Sequence, residues 1–190
     1  MTSIVRPTAV LFAALTVLTG AVYPLAVTGA ARLAFPEQAA GSLVEHGGKT
    51  VGSSLIGQSF SDPGHFWGRP SATSPMAYNA QASGGSNQGP LNPALAEAVR
   101  SRVRALRAAD PGNTAAVPVD LVTASASGLD PDISVAAARY QVGRVAAARK
   151  LPVQAVAGLV DSSAIGPVMG WFGEPRVNVL ALNLALDSVK

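Results

Sequence analysis

"PTAVLFAALTVLTGAVYPLAVTGAA", residues 7–31, contains no charged side chain, and its reading decides the architecture. As an α-helix rising 1.5 Å per residue it is about 36 Å long. A bilayer hydrocarbon core is about 30 Å thick, so the run can cross it with some tilt. A secretory leader has an apolar core of only roughly 7–15 residues. Here the apolar character continues past Pro24, and "VTGAA" is a weak small-x-small cleavage site. We therefore read an uncleaved transmembrane helix over residues 8–31. Pro24 fits within it, because a membrane helix tolerates one freed carbonyl that neighbours satisfy.

Charge gives the orientation. Arg6 precedes the run, and Arg32 follows it with Glu37 nearby. That is a thin positive-inside bias. A short head before a long C-terminal domain suits an N-inside, C-outside arrangement. The expected organisation is a cytoplasmic N-terminus (1–7), the span (8–31), a connecting segment (32–48) and a soluble extracytoplasmic domain (49–190).

Composition agrees with a membrane segment. Apolar residues make up 48% of the 190 and charged ones 13%, where soluble domains approach a quarter. There is no cysteine, which excludes disulfides, thiolate metal sites and cysteine nucleophiles. Arg100, Arg102, Arg104 and Arg107 read as a solvated helix face. Nucleic-acid binding wants basic residues interleaved with aromatics, and aromatics are only 5% here.

The soluble part reads as α+β. "KTVGSSLIGQSF" (49–60) suggests a short strand. Asn92 and Pro93 are a cap and first residue for a helix whose Leu95, Val99, Val103 and Leu106 share a face, and "DPGN" (110–113) ends it. "VPVDLVTASASG" (117–128) reads as a strand followed by a small-residue loop. Ser134 caps a helix to Lys150 that turns Val135, Ala138, Val142 and Val145 inward. Pro152 opens a helix to about Ser162. "RVNVLALNLALDSV" (176–189) is a strand or a helix by density alone, and Asn178 as a cap favours a short helix.

Chemical motifs are sparse. His46 and His65 stand apart, with no metal-ligand cluster. Asp130 and Asp132 lack the glycine and distal glutamate of a calcium loop, so Asp130 before Pro131 reads as turn chemistry. "GGSNQG" places Ser86 beside glycines, but the strand–turn–helix G-x-S-x-G context of a serine hydrolase is missing. "YNAQASGGSNQGPLNP" (78–93) has no charge. It can be a linker, an anion cradle of glycine and serine amides or a fixed loop docked on a partner. It lacks the lysine of a phosphate loop. Gly84, Gly85 and Gly128 are expected to supply positive φ in tight turns.

"GSSLIGQSF", "FWGRPSA", "YNAQASGGSNQGPLNP", "VPVDLVTASASGLDPDIS", "RVAAARKLP" and "GEPRVNVLALNLALD" occur in one order behind one N-terminal span. This ordered set closely resembles the C subunits (KdpC) of the Kdp potassium-transporting P-type ATPases, over nearly the whole chain. The resemblance implies a non-catalytic, single-span accessory subunit of a bacterial inner-membrane complex for ATP-driven potassium uptake. Its partners would be a potassium-translocating A chain, a P-type ATPase B chain and a small F chain. It also implies a catalytic chaperone that raises the ATP affinity of the B chain, no firmly bound cofactor, and a possible ATP contact at Ser125, Ser127, Gly128 and Gln141. Ala126 stands where some relatives have a further glycine. An extracytoplasmic domain cannot meet cytoplasmic ATP, so direct nucleotide contact and this topology exclude one another. The alternatives are a membrane-anchored nucleotide-binding regulator and, remotely, an anchored hydrolase using Ser86. With the domain outside, the polar loop is expected to meet the translocating partner through Tyr78, Asn79, Ser83, Gly84, Gly85, Ser86, Asn87, Gly89 and Asn92.

Overall fold

The computed structural model describes residues 2–189. Met1 and Lys190, the outer ends of the expected N-terminal segment and soluble domain, lie outside the described residues. The chain divides into two compact units, Met1–Leu43 and Val44–Lys190.

The first unit is helical. Helix α1 (Thr2–Val17) passes through a π-helical turn (Leu18–Val22) into α2 (Tyr23–Ala34), and a short α3 (Pro36–Ala39) follows. The π turn sits immediately ahead of Pro24. Proline has no N–H and its ring clashes with the carbonyl four residues back, so one widened turn relieves both faults. Thr19 Oγ1 returns a 2.7 Å bond to the Leu15 carbonyl. Ile4–Ala34 is long and apolar enough to cross a membrane. Its large side chains, from Ile4 to Leu33, are exposed, which in water would be untenable for a surface of this size. The helix runs three residues beyond the expected end at residue 31.

The second unit is α+β. Strands β1 (Leu43–His46) and β2 (Lys49–Ser53) form a hairpin through Gly47 and Gly48, both at positive φ. Two successive left-handed residues make the tight turn that suits strand twist. β1 falls in the stretch expected to be only connecting chain. Helix α4 (Pro93–Ala109) starts as expected, Asn92 Oδ1 accepting from Ala94 N at 2.9 Å. The strand expected at the start of 117–128, ahead of its small-residue loop, is absent among the described residues. Pro118 leads instead into a 3-10 turn, Val119–Leu121, which Asp120 ties across to the next element. That carboxylate accepts from Ser134 N at 2.7 Å, and Ser134 Oγ in turn accepts from Ala137 N at 3.0 Å.

Strand β3 (Asp132–Ser134) feeds α5 (Val135–Arg149), which ends on Lys150 in the left-handed conformation. Helix α6 (Val153–Ser163), strand β4 (Ala164–Ile165), strand β5 (Arg176–Asn178) and α7 (Val179–Asp187) complete the chain. The sheet order is β3-β5-β4, antiparallel, with Ile133 opposite Val177 and Ala164 opposite Val177. Residues 176–189 therefore answer the strand-or-helix question both ways. Arg176–Asn178 is the central strand, and Asn178 Oδ1 then caps α7 through Ala181 N at 3.0 Å. The core joins Ile133 and Val177 to Val145, Val156, Val160, Leu182 and Leu186, with Phe66 from the irregular 54–79 segment at its centre. Each such side chain contributes roughly 1.5–3 kcal/mol by leaving water.

Candidate functional site

The polar run 78–93 is neither loose nor a linker. It is sewn to the Ser125–Leu129 loop. Gly84 N donates to the Ser127 carbonyl at 2.8 Å, and Ser83 Oγ donates to the same oxygen at 3.0 Å. Beneath them, Ser71 Oγ donates to the Gly128 carbonyl at 2.7 Å and accepts from Tyr78 N at 2.9 Å. Ser125 N reaches the Pro70 carbonyl at 3.2 Å. Of the three glycines expected at positive φ, only Gly128 adopts it, at 69°. Within the run the positive φ values fall on Tyr78 and Asn87. Gly85 is needed for a different reason. A Cβ there would stand 2.9 Å from the Ala126 carbonyl oxygen.

Tyr78 pins the start of the run. Its hydroxyl donates to the Arg69 carbonyl at 2.6 Å. Its ring lies where a Cβ on Gly57 would be, 2.4 Å away. Burial, and secondarily Asp130, push its phenol up to about 12. Asn79 accepts from Gln81 N and donates to the Ser74 carbonyl. Ser83, Ser86, Asn87, Gly89 and Asn92 are exposed, while Gly84 and Gly85 are half-buried. The loop thus presents a polar outer surface on a rigid base.

The residues proposed by resemblance for nucleotide contact do not share one environment. Ser127 is exposed; Ser125 and Gly128 are buried. The Ser125 hydroxyl has no hydrogen-bond partner. Gln141 is 1% exposed and sits in the core of α5. Its Oε1 accepts from Trp67 N at 2.8 Å, and its Nε2 donates to the Trp67 carbonyl at 3.1 Å and to the Ala137 carbonyl at 3.2 Å. Arg144 donates to the same Oε1 at 2.6 Å.

Asn183, on α7, repeats this geometry one residue earlier. Its Oδ1 accepts from Phe66 N at 2.8 Å and its Nδ2 donates to the Phe66 carbonyl at 3.0 Å. Two buried carboxamides thereby stand in for a neighbouring strand along Phe66–Trp67. Buried backbone polar groups must be paired, and among the described residues no strand lies there to pair them. Arg144 completes the clamp. It donates to the Pro63 and His65 carbonyls and lies 4.3 Å from the Trp67 ring centroid. Burial pushes its guanidinium down to about 10, against the opposing pull of Asp110 and Asp62. The apolar spacing of α5 did not reveal Arg144 or Gln141. Asn183, an amide inside "LALNLALD", was the one available signal.

His65 contacts Asp62, Asp187 and Arg149 rather than Ser86, so no Ser–His–Asp arrangement is assembled among the described residues. Asp130 Oδ1 accepts from Asp132 N at 3.1 Å, the expected turn chemistry, and its Oδ2 meets Arg69 at 3.1 Å. An open cleft of about 620 Å³ is lined by Arg69, Asp120, Asp130, Asp132, Glu174 and Arg176 with apolar neighbours. Asp132 is paired with Arg176 at 2.9 Å.

The model of the family described as "KdpC: K+-transporting ATPase, c chain" matches residues 5–188. Three curated relatives carry the description "Potassium-transporting ATPase KdpC subunit". That of Variovorax paradoxus is 72% identical over 188 residues, covering 99% of this chain and 97% of the relative. That of Polaromonas naphthalenivorans is 69% identical, covering 100% and 97%. That of Herminiimonas arsenicoxydans is 64% identical, covering 98% of each. The chain belongs to the KdpC family, the c chains of K+-transporting ATPases, and is an accessory subunit of a potassium-transport complex rather than its catalytic subunit.

Proposed function

We propose that this subunit holds a rigid extracytoplasmic domain against the potassium-translocating A chain, and that any gain in ATP affinity of the catalytic B chain is transmitted indirectly through the assembled complex, the small F chain included. The observation that carries the reading is the polar loop 78–93. It is fixed from behind by Ser127, Gly128 and Ser71 while its outer residues Ser83, Ser86 and Asn87 remain exposed. A pre-organised loop loses little conformational entropy on docking. Gln141, whose amide is engaged on both sides by the fold, favours structural support over nucleotide contact.

The absence of cysteine makes the topology directly testable. Ser86→Cys and Thr114→Cys each place one thiol on an exposed position. With a membrane-impermeant maleimide on intact spheroplasts, Thr114→Cys is expected to label without lysis. Ser86→Cys is expected to label when the subunit is expressed alone and to be protected in the complex. Labelling of Thr114→Cys only after lysis overturns the orientation; equal labelling of Ser86→Cys in both states overturns the docking.

The nucleotide alternative is separated by Ser127→Ala in the assembled complex. Ser127 is the exposed member of the set, so its hydroxyl can be removed without opening the core. The apparent ATP affinity of the complex is expected to be unchanged. A several-fold loss, the size of one hydrogen bond at about 1 kcal/mol, would instead place nucleotide at this loop.

A further inference from the structure

Strands β4 and β5 are joined by residues 166–175, "GPVMGWFGEP", and this loop leaves the domain with its apolar side chains outward. Met169 is 84% exposed, Trp171 74%, Phe172 66% and Val168 56%. From Gly166 to Gly173 there is no charged side chain, and the Trp171 indole N–H is the only side-chain hydrogen-bonding group. Four large apolar side chains gathered at a turn are a contiguous patch, unlike singly scattered surface residues.

The backbone of this tip is closed at its base, while the Met169, Gly170 and Trp171 carbonyls face outward without a partner among the described residues. Val168 N donates to the Phe172 carbonyl at 2.9 Å, and Phe172 N returns a bond to the Val168 carbonyl at 3.0 Å. Gly170 N reaches the Pro167 carbonyl at 3.0 Å. Met169 and Gly170 supply the positive φ values, 56° and 82°, that the turn requires. Trp171 and Phe172 meet edge to face, with centroids 5.7 Å apart.

These features select the occupant. A protein partner is met with about one hydrogen bond per 100–200 Å² of interface, and the side chains of the tip offer only the Trp171 indole N–H. Lipid makes the opposite demand. At the headgroup boundary the apex carbonyls stay hydrated while the apolar side chains leave water, and Trp is favoured where an apolar ring meets a wet edge. The tether supplies proximity. Only residues 35–42 separate the end of α2 from β1, a reach of at most about 28 Å even when fully extended. A domain of this size has a radius of gyration of about 15 Å, so its whole surface stays within tens of ångströms of the headgroups.

We propose that the Val168–Phe172 tip inserts at the headgroup–acyl boundary of the bilayer that anchors the chain. The inference rests on the single-span reading of Ile4–Ala34. The two fail separately: loss of flotation with vesicles defeats the span, whereas the tip is read by Trp171.

The test uses the full chain reconstituted in phosphatidylcholine–phosphatidylglycerol vesicles. Trp67 and Trp171 are the only tryptophans, so the wild-type spectrum minus that of Trp171→Phe isolates Trp171. Lipids brominated near the top of the acyl chain are expected to reduce this difference signal at least about twofold, as interfacial insertion of a few ångströms requires. Aqueous iodide should leave it nearly unchanged. Met169→Ser with Phe172→Ser, in the same chain, should abolish the lipid quenching and restore access to iodide. Bromolipids without effect overturn the proposal, whether iodide quenches Trp171 or a protein surface shields it. Quenching that persists in the double variant overturns it as well.

Discussion

Gln141→Ala is expected to lower the unfolding free energy by about 3–5 kcal/mol, because buried groups left unpaired cost about 1–3 kcal/mol each. The loss strands Trp67 N and the Trp67 carbonyl together, and takes from Arg144 its link to Oε1. Arg144 keeps the Pro63 and His65 carbonyls and the Trp67 ring, so the effect stops short of an isolated buried charge. Against a total stability of about 5–15 kcal/mol, this is a large fraction. Gln141→Met keeps nearly the same volume and should recover less than half of the deficit, since hydrogen bonds and not space are missing. Asn183→Ala should behave alike through Phe66. The double variant should depart from additivity, because Phe66 and Trp67 are adjacent and released together. Urea denaturation followed by circular dichroism measures all four. A Gln141→Ala protein within about 1 kcal/mol of wild type would show that water replaces the carboxamide without penalty.

The same arithmetic decides how Gln141 can be used as a probe. A weaker apparent ATP affinity in a Gln141→Ala complex would mix a loosened domain with any lost ligand contact. Ser127→Ala limits the confusion, because that side chain stands outside the core and its hydroxyl gives up a single bond within the fold, the one it accepts from Leu129 N at 3.1 Å.

What the sequence made legible follows from the range of the interactions involved. Local signals were readable: Asn92, Ser134 and Asn178 each cap a helix by accepting from an N–H two or three residues on. The long charge-free run gave the span, and the ordered motifs gave the family. Strands β3, β4 and β5, of two or three residues each, are too short to show alternation. They exist because Ile133 and Val177 face each other across the sheet, a pairing set by the core. The stretch 117–128 has the apolar residues of a strand, but Asp120 pulls it into a turn by binding Ser134. The amide clamp was hidden for the same reason. Gln141 lies 74 residues from Trp67, and Asn183 lies 117 from Phe66. The polar loop raised three readings that composition could not separate; its bonds to Ser127 exclude the linker.

In the assembly proposed above, deleting residues 1–34 is expected to abolish co-purification with the proposed A and B chains while leaving a folded domain. The second unit carries its own core, built from residues between Phe66 and Leu186, and none of those side chains comes from the deleted helix. Loss of assembly follows from two physical terms. The first is effective concentration. A tethered domain meets a membrane-embedded partner at about millimolar local concentration, whereas the free domain is diluted into the whole compartment. The second is helix packing within the bilayer. Ala9, Ala13, Thr16 and Gly20 recur at helical spacing, and small residues let helix backbones approach closely where hydrophobicity supplies no driving force. A circular dichroism melt of the purified 35–190 fragment establishes that it is folded. Pull-down on a tagged A chain, from detergent-solubilised membranes, then reads assembly. The two terms separate with Gly20→Leu in the full chain, which keeps the tether but puts a large side chain in the row of small ones. Partial loss is expected there, against complete loss for the deletion. A folded 35–190 fragment that co-purified at native yield would mean that the soluble surfaces alone hold the complex, and that the span contributes only location.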